Sequence, residues 1–157
     1  MKNILLIVAN ASRARLYRVR QGQLERLESL NHPESRAKIV ELVSDRQGRQ
    51  HDDSGTAKAG PHRSGVDQPV DPHENEMLAF AREVARRVSI QARRGKYPEV
   101  IVFAPPRFLG RVKAALDDEI AKRVVASVSH DYTTKDENEI VDILQTLGVR
   151  ATLPTPV

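Results

Sequence analysis

The segment Lys96-Tyr97-Pro98-Glu99-Val100-Ile101-Val102-Phe103-Ala104-Pro105-Pro106-Arg107-Phe108-Leu109-Gly110 leaves few options for how this chain folds. Val100 to Ala104 is an unbroken apolar run, bounded by Gly95 and Pro98 before it and a proline pair after it. Such a run suits a strand buried on both faces. Pro106 suits the first turn of a helix, where a missing N–H leaves no bond unmade. Leu109, Val112, Leu116 and Ile120 follow at spacings of three, four and four, one face of a helix. A buried strand that runs through a tight loop into an amphipathic helix is half of a βαβ unit. In open α/β sheets, ligands sit in the crevice beyond the carboxyl end of such a strand.

The N-terminus predicts another buried strand over residues 3–9. Lys2, the apolar run and Ala9-Asn10-Ala11 imitate a signal peptide, but the run of about six residues falls short of the roughly 7–15 such a core region needs. The expectation is a strand and a cytoplasmic protein, with no window near the roughly 20 apolar residues of a membrane span. Asn10-Ala11-Ser12 then turns into a half-exposed strand, where Ala14, Leu16, Tyr17 and Val19 alternate imperfectly with Arg13, Arg15, Arg18 and Arg20. Gln21-Gly22-Gln23 is a hairpin turn, and Leu24, Leu27 and Leu30 mark a third strand of irregular pattern. Links this short cannot cross over, so the opening meander is antiparallel.

From Asn31 to about Val70 the periodicity weakens. Residues 38–43 fit a brief helix or strand, and 44–70 read as a long, flexible, basic loop holding Gly48, Gly55, Gly60 and Gly65. A loop of this length is either functional or disordered. Asp71-Pro72-His73-Glu74 then supplies an N-cap, a proline at the first helical position and a glutamate two further on. Met77, Phe80, Ala81, Val84 and Val88 give that helix a buried face, and Gly95 ends it. A fifth strand is expected over 123–128, and a last helix after a Thr134–Glu137 capping box, facing inward with Ile140, Ile143, Leu144 and Leu147 up to Gly148. Residues 151–157 carry two prolines and read as a disordered tail. The order β-β-β, long loop, α-β-α-β-α predicts one α/β domain over 1–150. Its sheet is mixed and five-stranded, of the ribonuclease H-like class.

Composition narrows the chemistry. No cysteine is present, which removes disulfide scaffolds, thiol nucleophiles and thiolate metal sites. A two-metal nuclease of this fold class needs a carboxylate on the first strand, and residues 3–9 hold none. His51, His62 and His73 lie eleven apart among Asp52, Asp53, Asp67 and Asp71, but without a His-x-x-x-His pair on one helix face. No metal and no cofactor are therefore expected. Neither Gly48-Arg49 nor the 54–60 segment fits a P-loop, and Ser54, Ser64 and Ser129 lack a nucleophile-elbow context.

The net charge of +4 favours a polyanionic partner. Arg82, Arg86 and Arg93 form one stripe on the first long helix, a solvated face partly neutralised where Glu83 pairs with Arg87 one turn on. Arg46, Arg49, Lys58 and Arg63 add charge from the loop, and Arg107 and Arg111 from the second helix. With Arg13 and Arg15, these arginines are the candidate contacts for RNA phosphates. The chain has only three Phe and three Tyr, so shape and phosphate recognition would dominate over base stacking.

Four ordered motifs resemble the bacterial host-attachment protein family, described as required for attachment to host cells. They are Val8-Ala9-Asn10-Ala11-Ser12-Arg13-Ala14-Arg15-Leu16-Tyr17, Glu41-Leu42-Val43-Ser44-Asp45-Arg46-Gln47-Gly48-Arg49, His73-Glu74 with Phe80-Ala81-Arg82-Glu83-Val84-Ala85, and Ala104-Pro105-Pro106-Arg107-Phe108-Leu109-Gly110. The family is distantly similar to the middle domain of archaeal and eukaryotic peptide-chain release factors, whose Gly-Gly-Gln loop precedes a long helix. Here the corresponding loop offers only Gly65 and Gln68, at a different spacing. The resemblance thus implies a fold and a ribosome or tRNA connection rather than peptidyl-tRNA hydrolysis. Two functions follow. One is a non-enzymatic module binding RNA, the ribosome or a protein partner through the 44–69 loop and the arginine stripe. The other is a hydrolase of an ester or phosphodiester using Asp45, His62 or His73.

Overall fold

A computed structural model of the chain describes residues 3–32 and 72–154. Its centre is β1 (Ile4–Ala9), all six residues of which are buried. β2 (Arg13–Arg20) pairs with it antiparallel, and β3 (Gln23–Asn31) pairs antiparallel with β2. The long helix α1 (Pro72–Gly95) leads to β4 (Glu99–Phe103), which lies parallel to β1 on its other side. Helix α2 (Pro106–Ala115) and the single turn α3 (Asp118–Ala121) lead to β5 (Val124–Val128), parallel to β4. Helix α4 (Glu137–Thr146) closes the order. The sheet runs β3-β2-β1-β4-β5, the mixed five-stranded arrangement of a ribonuclease H-like α/β fold.

Each sheet face carries its own core, which is why β1 and β4 are apolar throughout rather than alternating. Leu5, Ile7 and Ala9 join Val100 and Val102 under Phe80, Val84 and Val88 of α1 and Phe108 and Val112 of α2. Leu6, Val8, Tyr17 and Phe103 face the other way, under Ile140, Val141 and Leu144 of α4. The irregular leucines of β3 have a structural cause. Its register with β2 slips by one residue at Leu27, between the Arg26 and Glu28 pairings. Leu27 and Leu30 can then both pack toward α1 despite a spacing of three, while Leu24 packs on the opposite face.

Four expectations are corrected. The helix face Leu109–Ile120 is buried as expected, but the helix stops at Leu116 and restarts as α3, so those four residues do not share one helix. The cap of α4 is Asp136 with Glu139, not Thr134 with Glu137: the Asp136 carboxylate accepts the Glu139 N–H, and the Glu139 carboxylate accepts the Asp136 N–H. Glu137 is instead drawn across to Tyr17 and Arg26. Leu147 lies past the end of α4 and is 42% exposed, and Val141 takes its place in the core. Residues 151–154 of the expected disordered tail are packed, with Ala151 fully buried and Thr152 bridging to Gln23, while 155–157 lie outside the described residues. The apolar Ala151 and Leu153 have a core to join. The loop at 44–70, the 38–43 element and the Asp71 cap lie outside the described residues.

Because β1, β4 and β5 are parallel, their carboxyl ends share one rim of the sheet. The start of α1 is also there: His32, at the end of β3, donates its N–H to the Ser12 carbonyl and contacts Glu76 at 2.9 Å. No helix among the described residues is long and apolar enough to cross a membrane.

Candidate functional site

On the rim where ligands sit in such sheets, hydrogen bonds of the protein's own join the turn after β1 to the loop after β5. Asn10 Oδ1 accepts the N–H groups of Ser12 at 2.8 Å and Arg13 at 3.0 Å, which shapes the β1–β2 turn. Its amide Nδ2 donates to Asp131 Oδ2 at 2.9 Å and to Thr133 Oγ1 at 3.0 Å. Thr133 in turn donates its hydroxyl, at 2.6 Å, and its N–H, at 2.9 Å, to Asp131 Oδ1. Burial opposes ionisation of Asp131 most strongly. The hydrogen bonds from Thr133 and Asn10, with the nearby charge of Arg13, nonetheless hold its pKa below the usual carboxylate range. A carboxylate so well supplied with donors is a poor base.

Beside it, Arg15 is spent on the same loop. Its guanidinium donates to the carbonyls of Tyr132 at 3.3 Å, Thr133 at 3.0 Å and Lys135 at 2.9 Å, and approaches Glu137 at 3.5 Å. Glu137 Oε2 also accepts the Tyr17 hydroxyl and Arg26, each at 2.6 Å. Those two hydrogen bonds lower the Glu137 pKa against the cost of burial. Burial first, then Glu137 itself, push the Tyr17 phenol up to about 12. The turn after β1, the loop after β5 and the start of α4 are thereby joined into one network.

The solvent face of α1 is arranged differently. Arg82 and Arg86 are exposed, one turn apart, and neither has an ion-pair partner among the described residues. With Ser89, Ile90 and Arg93 they line a groove of about 270 Å³ whose far wall is Ala115 and Asp117. Asp117, the carboxylate in that groove, is held by Arg93. Arg87 is not neutralised by Glu83 of its own helix; it reaches Glu28 of β3 at 2.5 Å, where Gln91 also donates at 2.7 Å.

The structure therefore sorts the sequence candidates. Arg82 and Arg86 stand together in the open, whereas Arg15 is 16% exposed and engaged within the fold. Arg13 is exposed at the rim, and Arg107, 70% exposed at the start of α2, comes within 4.0 Å of Glu74. His73 is half-buried in the first turn of α1. Asp45, Arg46, Arg49, His62 and Arg63 lie outside the described residues. Among the described residues, no group of three or more His, Asp or Glu side chains could hold a metal ion. Sequence reading missed the Asn10–Asp131–Thr133 lock, in which Asn10 lies more than 120 positions from its two partners. The only local hints were the Asn-Ala-Ser turn and the Asp-x-Thr spacing.

A ribonuclease H-like α/β sheet with a hydrogen-bonded rim and an exposed arginine pair on α1 is the class the fold and the site define. The chain belongs to the family described as "Protein required for attachment to host cells", which it matches over residues 5–144. Among solved structures, one described as an archaeal protein superposes with a TM-score of 0.49 at 14% identity, covering 94% of this chain and 34% of its own. The archaeal translation termination factor aRF1 gives a TM-score of 0.42 at 15% identity, covering 93% of this chain and 40% of its own. This chain thus spans well under half the length of either. No curated protein matches the sequence.

Proposed function

We propose that this host-attachment family protein is a non-enzymatic binding module that holds RNA, in the ribosome or as tRNA, by its phosphate backbone along α1. The observation that supports this most is the pair Arg82 and Arg86, exposed on one face of α1 with no ion-pair partner among the described residues, beside a groove that Arg93 also lines. Guanidinium groups bond phosphate oxygens in bidentate fashion, and a helix fixes their spacing before any ligand arrives. All three phenylalanines, with Tyr17 and Tyr97, are buried, so bases find few aromatic rings to stack on. Recognition would rest on shape and backbone charge. A cytoplasmic place suits such a partner, and the attachment that names the family would then be an indirect effect.

The test is fluorescence anisotropy with labelled tRNA, and co-sedimentation with ribosomes, at about 50 and about 200 mM salt. Affinity should fall steeply with salt, and the R82E/R86E variant should lose at least tenfold at low salt. An affinity absent at low salt, or unchanged in that variant, would overturn the proposal.

A further inference from the structure

The two edges of the sheet are finished in opposite ways. At the β3 edge the protein's own C-terminal stretch takes up the free backbone groups: the Leu24 N–H donates to the Thr152 carbonyl, and the Thr152 N–H to the Gly22 carbonyl, both at 2.8 Å. Beyond that contact, Glu25, Arg26 and Glu28 and the slip at Leu27 discourage any further strand. β5 has none of these devices beyond one irregularity in its pairing with β4, between Val100 and Ile101. It is the last strand of its side, and its sequence Val-Val-Ala-Ser-Val carries neither charge nor proline. Val125 is 56% exposed, more than any other large apolar residue among those described. Among the described residues no strand pairs with the outer side of β5, and an uncharged edge of that kind is a template for one more strand.

The residues at its ends indicate which strand. Lys122, exposed, precedes β5, while Arg123 beside it is already spent on the Tyr97 carbonyl and Glu119; Asp131 follows the strand, exposed, and is held ionised by its hydrogen bonds. A second β5 laid antiparallel would set the exposed Lys122 of each copy near His130 and Asp131 of the other, so the edge is complementary to itself. We propose that two copies of this chain pair through β5, antiparallel about a two-fold axis, into one continuous ten-stranded sheet with Val125 covered at the seam. The pairing irregularity leaves Ala126–Val128 as the regular part of the edge, so the seam is short and the dimer forms reversibly with concentration. Nothing in this inference depends on the RNA reading, because β5 and the α1 groove share no residue.

Sedimentation equilibrium of the full chain, from about 1 µM to about 1 mM, tests it. The mass should climb from 17.6 kDa toward twice that value. The V125K/S127K variant should stay at 17.6 kDa, with its circular dichroism and melting temperature unchanged. Lys122→Glu should raise the dissociation constant about two- to fivefold, the size expected of one exposed charge pair. A wild-type chain that remains monomeric throughout would overturn the proposal, as would a V125K/S127K variant that associates like wild type. Should the double variant fail to fold, amide exchange on the wild type decides. Protection at residues 124–129 that rises with protein concentration supports the seam, and protection independent of concentration contradicts it.

Discussion

Arg15 and Arg82 are the same residue type in opposite circumstances. Arg15 spends its guanidinium on three backbone carbonyls and Glu137, and is nearly buried. Arg82, with Arg86 one turn on, meets solvent and an open groove. The difference shows that a basic residue signals a polyanion only when the fold has left it unemployed. On that reasoning, the first set carries stability and the second carries binding.

The comparison breaks first if Arg15 turns out to be dispensable. Arg15→Ala leaves three carbonyls of the 132–135 loop without their donor and Glu137 with one cation fewer. It should cost about 3 kcal/mol, since hydrogen bonds to a charged group are worth about 1.5–3 kcal/mol each and do not add fully. That corresponds to a fall of roughly 6–12 °C in Tm, measurable by thermal denaturation. Glu137→Ala comes next, at about 1–3 kcal/mol, because it strands the buried Tyr17 hydroxyl. Asn10→Ala should cost about 1–2 kcal/mol by releasing the β1–β2 turn from Asp131 and Thr133. R82E/R86E should lie within about 0.5 kcal/mol of wild type in denaturant unfolding, as exposed substitutions do.

Acid and alkali sharpen the same contrast. Glu137, Asp131 and Glu28 all have folded-state pKa values below their ordinary 4.5, 3.8 and 4.5. The unfolded chain therefore binds protons first as pH falls. The stability these groups confer is complete above about pH 5.5 and drains away as pH drops through their folded values. Tyr17 acts at the other end. Its pKa is raised to about 12, so its contribution is intact below the ordinary 10 and is lost as pH climbs through 12. Tyrosinate absorbance should show Tyr17 ionising late, and Glu137→Ala should bring that step earlier.

Much of the fold was legible in the residues. The run Val100–Ala104, the proline pair and the spacing of Phe80, Val84 and Val88 are local signals, and local signals set strands and helix faces. The antiparallel opening followed from links too short to cross over. What sequence hid was set over distance. Asp136 outcompeted Thr134 as a cap because Glu139 stands three residues after it, while the rim network took Glu137 for itself. Ala151 and Thr152 looked like loose tail, yet the second core and the β3 edge were waiting for them. The arginines looked alike in sequence, and only the loop carbonyls around Arg15 separate it from Arg82 and Arg86.

Binding of labelled tRNA and of ribosomes by folded R82E/R86E and by folded Arg15→Ala, in the same buffer at about 50 mM salt, puts the division to its hardest trial. The expected result is at least a tenfold loss in the first variant at full thermal stability, and near wild-type affinity in the second despite its lowered Tm. If R82E/R86E binds as tightly as the parent while Arg15→Ala does not, the roles assigned to the two sets of arginines are reversed.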